Sequence, residues 1–139
     1  MIGLPVRDLH RRIGDLAPGY AHVVIDTPPG DLGIVRGAVL AADTVVVPMP
    51  PAVMDMDRLQ ATLELVSDCE MLHPIDLRIL VTRVRPGTRL ARDVRTVLDE
   101  LGAPVLEAEI PLREAYAASF GAPPAAHVDY GAVLAELTR

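Results

Sequence analysis

Apolar residues fall in short blocks along the chain, and the spacing inside each block predicts its element. Val6, Leu9, Ile13 and Leu16 share one helical face over 5–16, and Pro18-Gly19 ends that helix. Val23-Val24-Ile25 is a β-branched run without polar interruption, the signature of a strand buried on both faces of a parallel sheet. It stops at Asp26-Thr27-Pro28-Pro29-Gly30, which continues neither strand nor helix. A helix is predicted over 33–42, a strand at Val45-Val46-Val47, and a helix over 55–71 with Met56, Leu59, Leu63 and Val66 as its buried stripe. The third strand spans 77–84. Thr88 then caps a helix whose apolar face is Leu90, Val94, Val97, Leu98 and Leu101, and Gly102 stops it. A fourth strand, 105–110, closes at Pro111. Helices over 112–120 and 128–137 follow, separated by Gly121-Ala122-Pro123-Pro124.

Strands and helices alternate, and the crossovers are too long for hairpins. The expected fold is α/β, with a doubly wound, mostly parallel sheet in three layers. At 139 residues with half of them hydrophobic, the chain is expected to form one domain with a real core. No apolar run reaches the length of a membrane span, and Asp8, Arg11 and Arg12 break the N-terminus too early for a signal peptide. A cytoplasmic protein is expected. A lone cysteine, Cys69, forms no internal disulfide and reads as inert filling.

Chemistry concentrates at few positions. Asp26 stands at the carboxyl end of a predicted buried strand, where open α/β sheets place their ligands. Two roles suit it: holding Mg²⁺ through water beside a nucleotide phosphate, or capping the turn that follows. His10, His22, His73 and His127 lack metal-ligand spacing, and no Ser/His/Asp arrangement stands out. All thirteen basic residues are arginine, so any step needing a lysine on a phosphate is closed to this chain alone.

Charge is unevenly spread. The whole chain carries −6, but Leu77 to Val97 holds Arg78, Arg83, Arg85, Arg89, Arg92 and Arg95 against the single acid Asp93. That stretch is +5 and the remainder −11. Arg89, Arg92 and Arg95 lie off the apolar face of their helix, with Arg85 in the turn before it. They suit either phosphate contacts or a solvated face with Arg95 paired to Asp99.

Four blocks carry a family resemblance. Tyr20-Ala-His-Val-Val-Ile-Asp-Thr-Pro-Pro-Gly30 resembles the Walker B region of the ParA/MinD-type P-loop ATPases. Arg36-Gly-Ala-Val-Leu-Ala-Ala-Asp-Thr-Val-Val-Val-Pro-Met-Pro-Pro51 resembles the helix and proline-ended strand that follow it. Ile79-Leu-Val-Thr-Arg83 is similar to the strand that borders the adenine, and Glu109-Ile-Pro-Leu-Arg-Glu-Ala-Tyr-Ala-Ala-Ser-Phe-Gly121 to the late Ile-Pro loop and helix. The blocks stand in the family's order and cover about residues 20 to 137.

The resemblance implies ATP and Mg²⁺ as cofactors. Asp26 would serve catalysis by holding the metal through water, and Thr82, Arg83, Pro111 and Leu112 would hold the base. It also implies a nucleotide-dependent dimer that binds non-specific DNA, here through Arg85, Arg89, Arg92 and Arg95, at the nucleoid. A ParB-like centromere-binding partner would stimulate release in plasmid or chromosome partition. The family's glycine-rich lysine loop has no counterpart before Val23, so the chain looks like the C-terminal portion of a ParA-like ATPase and is expected to turn over no ATP alone. The strand missing beside Val23–Ile25 would leave an edge open to self-association or to a ParA-like partner chain. The C-terminal helix is too short and too little cationic for the membrane anchor of MinD-like siblings, which favours the partition branch. Three readings follow: a partition ATPase subunit, a non-catalytic modulator of full-length ParA-like subunits, and a reduced relative such as an ATP-dependent synthetase.

Overall fold

The computed structural model describes residues 3, 8–51, 55–118 and 128–138; for 55–58, 117 and 118 it describes the backbone alone. The starting residues of the first predicted helix, the Met56 side chain, Phe120 with the Gly121–Pro124 linker, and His127 lie outside what it describes. The chain divides into two compact units, Met1–Val45 with Ala61–Asp76, and Val46–Gln60 with Leu77–Arg139.

In the first unit, helix α1 (Leu9–Leu16) packs on helix α2 (Leu32–Val39). Asp31 caps α2: its carboxylate accepts from the amides of Gly33 (2.9 Å) and Ile34 (3.2 Å), two donors that otherwise have no helical partner. Gly37, Ala38 and Val39 are the buried end of α2. Between the helices, 22–28 forms no regular structure. Val23 is 45 % exposed and Val24 91 %, against the expectation of a strand buried on both faces. A strand exists only through a neighbour that takes up its backbone groups, and no described strand lies beside this run.

The sheet is three-stranded in the order β1 (Thr44–Met49), β2 (Asp76–Val84), β3 (Ile110–Pro111). In β2, Ile79, Leu80 and Val81 are buried in succession, so both faces are covered, as in the middle of a parallel sheet. Helix α3 (Asp55–Glu70) precedes β2 and buries Leu59, Val66 and Cys69. Helix α4 (Arg89–Glu100) follows, with the Thr88 hydroxyl accepting from the Ala91 amide. Only Val94 and Leu98 of its predicted apolar face are buried; Leu90, Val97 and Leu101 stay exposed.

The predicted strand 105–110 is realised in fragments. Residues 104–112 run parallel to β2, joined by Ile79 to Pro104 (2.8 Å), Leu106 to Ile79 (2.9 Å) and Leu112 to Val84 (2.8 Å). In the middle the ladder is diverted, because the amides of Glu107 and Ala108 donate instead to the Glu136 carboxylate at 2.8 and 3.0 Å. Glu136 belongs to helix α6 (Val128–Leu137), which comes after the short helix α5 (Glu114–Ala118). Leu80, Leu106, Ile110 and Val133 form the core there, flanked by Val46, Ala108, Tyr116 and Leu137.

Candidate functional site

Strand β2 ends irregularly, and the irregularity builds the site. The register shifts between Thr82, opposite Ile110, and Val84, opposite Pro111. Arg83 sits in that bulge with φ at 55°, the left-handed region that costs a side-chain-bearing residue about 1–2 kcal/mol. Pro111 lacks an amide donor, so the ladder cannot regularise there. The outcome is a cleft of about 330 Å³ lined by Thr82, Arg83, Ile110, Pro111, Leu112, Arg113, Tyr116 and Tyr130. Its size falls at the lower end for small-molecule sites.

Thr82, Arg83, Pro111 and Leu112, the four residues expected to hold a base, therefore come together in one place. Ile110, Pro111 and Leu112 supply an apolar wall, Thr82 a hydroxyl, and Arg83 an exposed guanidinium. The remaining lining residues were not singled out by sequence. Tyr116 and Tyr130 meet edge to face with centroids 5.3 Å apart, an arrangement that suits aromatic quadrupoles. Asp129 accepts from Arg113 through both carboxylate oxygens (2.8 and 3.2 Å) and from the Tyr116 hydroxyl. The Arg113 bonds, then the Tyr116 bond, hold the Asp129 carboxyl below the usual carboxylate range. The same Asp129 contact pushes Tyr116 and Arg113 up. Signals for these residues existed: Leu112 and Tyr116 are four apart at a helix start, and Tyr116 and Tyr130 are two of only three tyrosines.

The arginines of 85–95 separate into two kinds. Arg85 and Arg92 are exposed, and Arg89 is 90 % exposed at its side chain with a loose contact to Asp93 at 3.8 Å. Arg95 differs from the expectation that it faces solvent with the others, and from the alternative pairing to Asp99. Its guanidinium bonds the Glu109 carboxylate and the carbonyls of Leu106 (3.1 Å) and Glu107 (3.0 Å). One position beyond buried Val94, it lies on the flank of α4 nearest the diverted ladder, and stitches it.

Asp26 is an exposed carboxylate in the first unit. Among the described residues no group of three or more His, Cys, Asp or Glu could hold a metal. A single carboxylate fits Mg²⁺ only where phosphates and waters complete the octahedron, which is how proteins usually bind that ion beside nucleotides. Asp31 is committed to its cap, and the Cys69 thiol is pushed up by burial, partly offset by Arg36. No described helix is long and apolar enough to cross a membrane.

With this geometry established, comparison shows the class the chain is similar to, the ParA/MipZ-type ATPases. The family model it matches is "ATPase MipZ", over residues 4–72. Two curated relatives are each named maintenance of carboxysome distribution protein A. The one from Halothiobacillus neapolitanus is 25 % identical over 101 residues, 71 % of this chain and 47 % of its own length. The one from Gloeobacter kilaueensis is 38 % identical over 94 residues, 66 % of this chain and 42 % of its own. The chain thus spans less than half the length of the curated relatives it matches. A crystal structure of a plasmid partition protein from Borrelia burgdorferi superposes with a TM-score of 0.63 at 24 % identity, covering 76 % of this chain and 44 % of that one, which establishes the shared α/β fold.

Proposed function

We propose that the chain is the base-binding and DNA-contacting portion of a ParA/MipZ-type positioning ATPase, working with a phosphate-binding segment that its own residues do not supply. The observation that carries the reading is the convergence of Thr82, Arg83, Pro111 and Leu112 on one cleft. A nucleobase is flat and apolar on its faces and polar at its edge. The cleft offers it the Ile110–Leu112 wall, the Arg83 guanidinium plane and the Thr82 hydroxyl. Asp26 would hold Mg²⁺ through water once nucleotide phosphates complete the ion's shell.

Arg85, Arg89 and Arg92 form the DNA-contacting face in this reading; Arg95 does not, because its guanidinium is already taken by Glu109 and two carbonyls. Contacts to phosphate would give affinity without sequence choice. The alternative, a non-catalytic modulator of full-length ParA-like subunits, shares the fold and is equally compatible with a chain whose basic residues are all arginine.

Calorimetry of ADP and ATP, with and without Mg²⁺, tests the nucleotide half: heat of binding that Leu112→Asp abolishes is expected, and silence with both nucleotides overturns it. A salt series tests the DNA half. The slope of log affinity against log salt should be about −2.7, from about −0.9 per phosphate contact for three arginines, and Arg89→Ala with Arg92→Ala should flatten it. Mixing with a full-length ParA-like ATPase separates subunit from modulator: a modulator changes that enzyme's turnover, whereas a subunit regains turnover from a segment carrying the lysine loop.

A further inference from the structure

Asp129 touches none of the space a ligand would fill, yet it fixes two residues that line it. Its carboxylate is 17 % exposed at the start of α6 and holds Arg113 and Tyr116 together; Tyr116 in turn sets its ring against Tyr130. At the far end of the same helix, Glu136 holds the amides of Glu107 and Ala108, two residues before the Ile110–Leu112 wall. Both acids on the body-facing side of α6 are therefore spent on segments that build the cleft. The opposite face, with Val128 at 82 % and Leu134 at 60 % exposed, contributes no such anchor.

We infer that Asp129 is a positioning residue that makes cleft occupancy and α6 docking a single equilibrium. A ligand that presses on Arg113 and Tyr116 tightens their hold on Asp129 and thereby α6. By reciprocity, loosening α6 weakens the ligand. This inference rests on the nucleotide reading of the cleft given above.

The test uses the whole chain with ADP·Mg²⁺ as probe, in wild type, Asp129→Asn and Asp129→Glu, with circular dichroism confirming that each folds. Asparagine keeps the shape and loses the charge. The dissociation constant is expected to rise about tenfold in Asp129→Asn, the scale of one charge-assisted hydrogen bond. Asp129→Glu should recover part of that loss. ADP·Mg²⁺ should slow amide exchange across 128–137 in wild type and leave it unchanged in saturated Asp129→Asn. Tyrosine emission gives a third readout, because the chain has no tryptophan and two of its three tyrosines line the cleft; it should rise in Asp129→Asn as the Tyr116 hydroxyl loses its carboxylate acceptor. If wild type and Asp129→Asn bind ADP equally and α6 exchange responds alike in both, the inference is overturned while the cleft reading stands. If wild type itself does not bind ADP, the cleft reading fails and takes the inference with it.

Discussion

Arg83 and Arg95 carry the same charge and have opposite fates. Arg83 holds a left-handed backbone at the cleft, a conformation glycine adopts without penalty. Arg83→Gly should leave stability unchanged or raise it by about 1 kcal/mol, while lowering nucleotide affinity. Denaturant midpoints and calorimetry on one preparation check both signs, and a loss of stability would show that the bulge is not strained. Arg95 is bonded to Glu109 and two carbonyls at 30 % side-chain exposure. Arg95→Ala should cost about 1 kcal/mol after allowing for solvent screening, whereas exposed Arg92→Ala should stay within about 0.5 kcal/mol. DNA affinity should reverse that order, falling for Arg92→Ala and not for Arg95→Ala. At Asp129 the pH dependence follows from the sign of each shift. Arg113 and Tyr116 lower the folded-state carboxyl, so its contribution is present above the unfolded value and fades as pH falls through the folded one. Tyr116 is raised, so its contribution is present below the ordinary phenol value and is lost as pH rises through the folded one. Thermal midpoints should form a plateau between the two limits, and Asp129→Asn should flatten the acid side.

The helices and β2 were legible in the sequence because their information is local. Periodicity, Thr88 as cap and Gly102 as stop place α4 to within a residue, and the apolar run within 77–84 places β2. Thr82, Arg83, Pro111 and Leu112, which line one cleft, were singled out through the family blocks. What stayed hidden depends on partners distant in sequence. Val105–Ile110 has the composition of a strand, yet Glu136, about thirty residues on, takes the amides that would have made its ladder. Val23–Ile25 has the composition of a buried strand, and no described neighbour pairs with it. The Arg113–Asp129–Tyr116 group spans α5 and α6, so no spacing rule reveals it. Glu136→Ala tests the diversion directly. Amides 107 and 108 should lose protection against hydrogen exchange, with a stability cost of about 1 kcal/mol for partly exposed acceptors. Unchanged protection would mean that those amides are held by something other than Glu136.

At the scale of the whole chain, the apolar surface left open is the feature that governs behaviour in solution. Val24, Met71, Leu72, Val128 and Leu134 range from 60 to 91 % exposed, and α6 shows solvent a face that carries no charge among Val128, Gly131, Ala132, Leu134, Ala135 and Thr138. Isolated exposed apolar residues are ordinary on soluble proteins, but an uncharged helix face is what partner surfaces are made of. The net charge of −6 opposes association only weakly at physiological salt, where the Debye length is about 8 Å. Concentration-dependent association is the expected outcome, and salt distinguishes it from DNA binding. Raising salt weakens arginine–phosphate contacts by counterion release and leaves apolar burial intact or strengthened. Sedimentation equilibrium should therefore show an average mass that grows with protein concentration and does not fall between low and high salt. Leu134→Glu with Val128→Glu should return the chain to its monomer mass by placing two charges on the open face of α6. A wild-type mass that stays at 14.9 kDa over a hundredfold range of concentration would show that the open face of α6 is tolerated as it stands.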